Sequence, residues 1–354
     1  MDRLSFWNKL FDKTEKVAKQ NINNSITTYE DQEEVNKIVE RINDAMSRSL
    51  LIDLKKNINK ILKDNQKEQS GFNARLYKLW EKPLNLLSIL LILSEEIGKY
   101  YNEKFRPKKA KENDIVFEVL IRLHARSSLI GGEIFTLLCN GYASGAEARW
   151  RSLYEIAATA YFIVEHDNIV AEKYLLHEKI ETYKAMKQYN DYATKLNGTP
   201  FSEKEVKNME KAKDELCKRY GKNFCNRYGW AAEELKIKDP KFRDIEKEIG
   251  LDYWQPYYKM ASYSIHPNSK SLMFTLGLKN NKNIMLAEPS NADLEEPGCN
   301  TAISLCQINT ILLAREPDYL HPVVAKATLY LSEEIEQSFL EVAKGIDDTP
   351  HFRS

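Results

Sequence analysis

The chain has little of what makes turns, cross-links or a charge bias. Only 13 glycines and 11 prolines occur in 354 residues, which points away from turn-rich all-β architectures. Five cysteines (Cys139, Cys217, Cys225, Cys299 and Cys306) leave an odd count and form no CxxC pair. Zinc sites and disulfide frameworks use tighter spacing, so all five read as reduced thiols. There is no net charge, with 52 Lys+Arg against 52 Asp+Glu. That argues against a nucleic-acid coat protein, because phosphate binding is driven by an excess of Lys and Arg. No apolar run approaches the roughly 20 residues that cross a bilayer; the longest, residues 89–93, is of core length. The start, MDRLSFWNKLFDK, lacks the apolar centre of a secretion signal. With reduced thiols, these absences lead to the expectation of a cytoplasmic protein without a membrane span. HExxH, GxxxxGKS/T, GxGxxG and paired histidines at metal spacing are all missing, so neither cofactor nor metal is expected.

What is present is helical periodicity. The chain is 43% apolar and 29% charged, enough to bury a core and too apolar to stay disordered. Apolar residues recur at three- and four-residue steps from 33 to 63, and residues 84–101 are apolar almost all round. Further helices are expected over about 114–139, 144–165, 168–196, 203–220, 300–315 and 323–344. Asp239-Pro240 opens a short helix that Gly250 closes, and another follows Pro256. Asn140-Gly141 is a stop of left-handed type, and Ser202 with Glu205 is a capping box. Gly131-Gly132 falls inside a helical pattern and is not a phosphate loop. Residues 277–297 read as irregular, with room for a small hairpin. No segment sustains a period of two. The expected fold is an all-α multi-helix bundle with a long N-terminal helical arm. The expected divisions are 1–70 (arm), 71–275 (core) and 276–354 (a loop and two helices on the core).

Charge is uneven along this neutral chain. Residues 284–354 hold 4 Lys+Arg and 12 Asp+Glu, leaving 48 and 40 in the first 283. That asymmetry could steer an anionic partner to the front half, although a dipolar molecule with an acidic tail accounts for it as well. The terminal helix at 3–20 sets Leu4, Trp7, Leu10 or Phe11 and Val17 against lysines. It suits packing on its own domain, a partner groove or a membrane surface. Residues 99–111 hold six basic side chains among Tyr100, Tyr101 and Phe105. RNA binding uses such a mixture, but a solvated loop around Pro107 needs no ligand.

Two clusters carry chemistry. In residues 144–165, Glu147, Arg151 and Glu155 follow one another at i, i+4 and i+8, forming a polar stripe beside Trp150, Leu153 and Ile156. An arginine so placed needs a carboxylate, which either glutamate could supply, and could then hold a phosphate or carboxylate ligand. In residues 257–267, Tyr258, Ser262 and His266 share a helical face, and Pro267 ends the helix. His266 is a candidate acid or base and equally a cap for the last carbonyls. His177, on the helix of Tyr174, joins these as a candidate ligand-pocket residue.

Arg-x3-Glu (Arg151, Glu155), Tyr174 and His177, then Trp254 and Tyr-x3-Ser-x3-His-Pro (Tyr258, Ser262, His266, Pro267) resemble a widespread bacterial domain family of unknown function. Its members are compact helical proteins. The resemblance covers about residues 115–275; it implies an all-α fold and brings no agreed activity. A more distant likeness is to the nucleotide- and RNA-binding helical bundles of bacterial toxin and phage-defence systems. Ribonuclease members of that group use Arg-x4–6-His to flank a phosphate. Arg315 and His321 match that spacing, with Pro317 inside it.

Three functions follow as expectations. The first is binding of a ligand, RNA or protein partner through Arg151, Glu155, His177, Tyr258, Ser262 and His266, in bacterial stress or phage defence. The second is a metal-independent ribonuclease using Arg315 and His321, or Arg151 and His266. The third is a scaffold that forms a homo-oligomer through the N-terminal helices.

Overall fold

A computed structural model describes residues 12, 15–16, 19–20, 32–266, 269–273, 276–277, 287–316 and 318–348. The apolar stripe expected at 3–20 lies outside the described residues, as do residues 278–286 of the segment expected to hold a hairpin. Among the described residues all regular structure is helical, and no helix is long and apolar enough to cross a membrane.

The chain divides into two units, residues 1–75 and 76–354. Helix α1 (Gln32–Leu79) supplies the described helix of the first and the opening residues of the second. It runs sixteen residues past the expected end at 63, through Gly71, because no proline and no left-handed residue interrupts it. Leu51, Ile52, Ile58 and Leu62 on it are about half exposed or more.

The second unit holds α2 (Glu81–Lys104), α3 (Arg106–Lys111), α4 (Ile115–Cys139), α5 (Ala143–Glu165), α6 (Asn168–Leu176), α7 (Glu178–Tyr192) and α8 (Glu203–Tyr220). The short helices α9 (Ala232–Leu235), α10 (Phe242–Glu248), α11 (Gln255–Tyr263) and α12 (Ser269–Met273) follow. The long α13 (Glu295–Arg315) and α14 (His321–Asp348) complete it.

Helix α13 is the axis of the core, packing on α2, α4, α5 and α14. Its inner positions are small or branched (Gly298, Ala302, Ser304, Leu305, Ile308, Leu312), and all are buried. A Cβ at Gly298 would lie 2.4 Å from the Phe339 ring, and one at Gly131 would lie 2.7 Å from Leu91. These two glycines let α14 approach α13 and α2 approach α4. A buried polar chain crosses three of the core helices. Asn309 Nδ2 donates to Ser94 Oγ at 2.8 Å, and its Oδ1 lies 2.8 Å from His124 Nε2.

Several expectations need correction. Residues 99–111 are not a solvated loop: α2 continues to Lys104, and α3 starts with Pro107 in its first turn, where the missing N–H costs nothing. Tyr100, Tyr101 and Phe105 pack on His321, so these rings are not a free stacking platform. The helix expected over 168–196 is two helices that meet at His177. Helix α13 starts at Glu295 and takes in Pro297 in its first turn.

The five thiols are not all free. Cys217 and Cys225 form a disulfide with Cα atoms 6.6 Å apart. The chain reverses at Gly221, whose φ of 87° suits glycine, and a 3-10 turn then returns Cys225 to the helix end. This reversal brings together two thiols eight residues apart, a spacing that no local motif marks as a pair.

Candidate functional site

Helix α5 carries the Arg151–Glu155 pair, and α11 packs against it. The apolar positions Leu153, Ile156, Ala157 and Ala160 turn inward and leave the charged stripe at the edge of the core. On α11, Tyr258 and Ser262 sit one turn apart, and Ser262 Oγ donates to the Tyr258 carbonyl at 2.8 Å. Each helix thus presents an i, i+4 pair, and the two pairs face each other.

Arg151 joins them. Its Nε donates to Glu155 Oε1 at 3.2 Å, Nη1 to Ser262 Oγ at 3.2 Å and Nη2 to Tyr258 OH at 2.6 Å. The Tyr258 hydroxyl donates to Glu155 Oε1 at 2.5 Å. The guanidinium carbon lies 4.4 Å from the Tyr258 ring centre, within cation–π range. Arg151 keeps 20% and Glu155 30% of the side chain in solvent, so the group is half-buried at the edge of the core. Burial, reinforced by the Glu155 carboxylate, pushes the Tyr258 phenol well above its ordinary range. At neutral pH it is a proton donor and not a base.

Buried aromatic rings pack beneath this group. Tyr154 stacks on Trp150 at 5.4 Å, and Trp254, Phe242 and Tyr258 lie within 6.3 Å of the Tyr154 ring. The Tyr154 hydroxyl is shared between Glu246 Oε1 at 2.8 Å and the Leu251 carbonyl at 3.1 Å. Gln255 donates to the other Glu246 oxygen. Glu246 is fully buried, and burial raises its carboxyl above the usual range despite these bonds. Tyr154 and Glu246 were missed in the sequence. Their only signal is a tyrosine inside the polar stripe and a glutamate on the apolar side of a seven-residue helix.

The other candidates go elsewhere. His266 is exposed, and among the described residues no hydrogen bond joins its side chain to the Arg151 group. Helix α11 stops at Tyr263, and only the His266 backbone N–H turns back, to the Ser262 carbonyl at 3.1 Å. The exposed imidazole therefore faces solvent at the helix end and does not join the Arg151 group. His177 is buried at the junction of α6 and α7, with Nε2 2.8 Å from the Asn226 carbonyl and its ring against Phe224. Burial holds its pKa below the ordinary value. Its partners are separate from those of Arg151.

Arg315 and His321 have structural partners of their own. Arg315 Nη2 reaches both Asp114 oxygens at 2.9 and 3.0 Å. His321 is 4% exposed, its Nδ1 2.9 Å from Tyr101 OH. Arg315 keeps 30% of its side chain in solvent, whereas the His321 imidazole is buried. Among the described residues no group of three or more His, Cys, Asp or Glu side chains could hold a metal ion.

No curated protein and no solved structure matches the chain. Residues 117–284, which hold Arg151, Glu155, Tyr258 and Ser262, match the model of a family of unknown function (DUF5677).

Proposed function

We propose that the chain acts by binding, with an anionic group of its ligand meeting the Arg151 pocket. The observation that carries this reading is the state of Arg151. Its orientation is set by residues more than 100 positions away, yet one-fifth of the side chain still faces water. A guanidinium has five N–H donors, and three of them are directed at Glu155, Ser262 and Tyr258. The rest suit a phosphate or carboxylate, for which a planar pre-oriented donor set is the common protein solution. RNA or a protein carrying such groups is the partner class, and a role in bacterial stress or phage defence belongs to this reading.

Catalysis is disfavoured by the local chemistry. Ser262 donates to its own helix, with no base in contact to activate it, and Tyr258 holds its proton. The test is titration of the full chain with a nucleoside monophosphate and a short oligoribonucleotide, followed calorimetrically. Arg151→Lys keeps the charge and loses the fork; it should weaken binding about tenfold, a change of about 1.4 kcal/mol. Equal affinity in the variant, or no binding of either probe, would count against the pocket. Incubation with total RNA in EDTA tests the enzymatic alternative: intact RNA counts against a ribonuclease, and cleavage supports one.

Self-association of the first unit is a second reading. It rests on the exposed Leu51, Ile52, Ile58 and Leu62 of α1. Sedimentation of the full chain as a monomer would remove it.

A further inference from the structure

The seam between α5 and α13 holds polar atoms that the packing leaves without partners. Glu147 is 2% exposed, and neither of its carboxylate oxygens has a hydrogen-bond partner. Ser144 Oγ on the same helix, and Glu296 Oε1 and Asn300 Nδ2 on α13, are also buried and unpartnered. The register of the two helices brings them together. Trp150 Nε1 donates to the Asn300 carbonyl and to Ser304 Oγ, each at 3.0 Å. The turn of α5 before Trp150 therefore faces the turn of α13 that begins at Glu296. Glu147 and Glu296 feel each other's charge, and the Asn300 amide lies beside the Glu147 carboxylate without a well-formed hydrogen bond.

The sign of this cluster is one-sided. Three of the five unpartnered atoms are carboxylate oxygens, and a fourth is a hydroxyl. Asp293 and Glu295 add negative charge around Glu296. No ion pair reaches Glu147 or Glu296 among the described residues, and the nearby Arg149 is held by Glu133. Buried charge without a partner is strongly disfavoured, so the cluster must be neutralised by a proton or by a bound cation. Ser144 and Glu296 are only half-buried, which leaves an entrance for a small ion.

We propose that Glu147, Glu296, Asn300 and Ser144 form a site for a hard divalent cation, of the class of Mg2+, Ca2+ or Mn2+. Two carboxylates completed by neutral oxygens and water are a donor set such ions accept, whereas Zn2+ prefers nitrogen and sulfur ligands. A half-turn of the Asn300 amide presents its oxygen to the ion. The rival occupant is a proton, because burial first and Glu296 second raise the Glu147 carboxyl well above its ordinary value. This site is independent of the Arg151 reading.

The experiment uses the full chain, stripped with EDTA and dialysed. Adding Mg2+, Ca2+ or Mn2+ separately should raise the Tm by about 5 °C for at least one ion. Equilibrium dialysis against Mn2+ should find one ion bound per chain. Glu147→Gln and Glu296→Gln should each remove the thermal shift. Should either variant fail to fold, the dialysis stoichiometry of the unaltered chain still decides. No shift with any of the three ions and no stoichiometric Mn2+ would overturn the site. Glu147→Gln being more stable than the unaltered chain in EDTA and in Mn2+ alike would assign the position to a proton.

Discussion

At the scale of single residues, the imidazole of His124 shows how burial sets chemistry. It is 1% exposed, and burial drives its pKa down to about 4 from 6.5, against a small opposing effect of Asn309. Because Asn309 donates its amide to Ser94, its oxygen is the acceptor, and His124 must donate from Nε2. The neutral form is therefore the folded form. Its contribution to stability is complete above pH 6.5 and is lost as pH falls toward 4, because the unfolded chain binds the proton more tightly. The size is about 3 kcal/mol at the acid end. Urea unfolding at pH 7 and pH 4 should show the unaltered chain losing about 3 kcal/mol more than His124→Gln, whose amide can donate in the same place. Equal losses would mean that the imidazole titrates freely. The residue type and its helix were readable in the sequence, but nothing in the spacing distinguishes this histidine from His177 or His266. Contact with Asn309 and Ser94, 185 and 215 positions apart in their pairings, makes the difference.

At the scale of elements, most helices were legible because they repeat locally. The Ser202–Glu205 capping box forms as the residues require, with reciprocal side-chain and backbone bonds. Gly141 takes a φ of 76° after α4, and Asp114 caps its start through the Phe117 N–H. Residues 99–111 depart from their local pattern. Six basic residues around a proline look like solvated loop, yet Lys109 reaches Glu316, Asp114 and Glu112 across α3, α4 and α13. Arg106 pairs with Glu118 at 2.7 Å. Two of the six charges are thus taken up by acids brought from elsewhere in the chain, while Lys99, Lys104, Lys108 and Lys111 stay exposed. Asp114 is the hub, since it caps α4 and accepts both bonds of Arg315. Asp114→Ala should destabilise the protein by about 2 kcal/mol, from the cap and the ion pair together. Asp114→Asn, which still caps, should cost about half as much. Equal loss from the two in urea titrations would show that the cap contributes nothing.

At the scale of the whole molecule, long-range links add what the helices alone do not have. The Cys217–Cys225 disulfide closes a short loop, worth about 2 kcal/mol in the chain-entropy account. Dithiothreitol should lower the unfolding free energy of the unaltered chain by that order and leave Cys217→Ser unaffected; identical curves with and without reductant would show a bond of no consequence. Gly298→Ala tests the core contact, since the new Cβ would meet the Phe339 ring. A loss of about 1–3 kcal/mol is expected, and an unchanged midpoint would mean that α13 and α14 can part freely. The sequence by itself determined the all-helical class, most helix ends and the polar stripe of α5, because these depend on residues within one or two turns of one another. Only the tertiary structure decided which carboxylate Arg151 takes. Glu147 and Glu155 stand at equal spacing on either side of it, so local geometry cannot choose. The approach of α11 sets Tyr258 and Ser262 beside the Arg151–Glu155 pair, while the approach of α13 buries Glu147 beside the Asn300 amide.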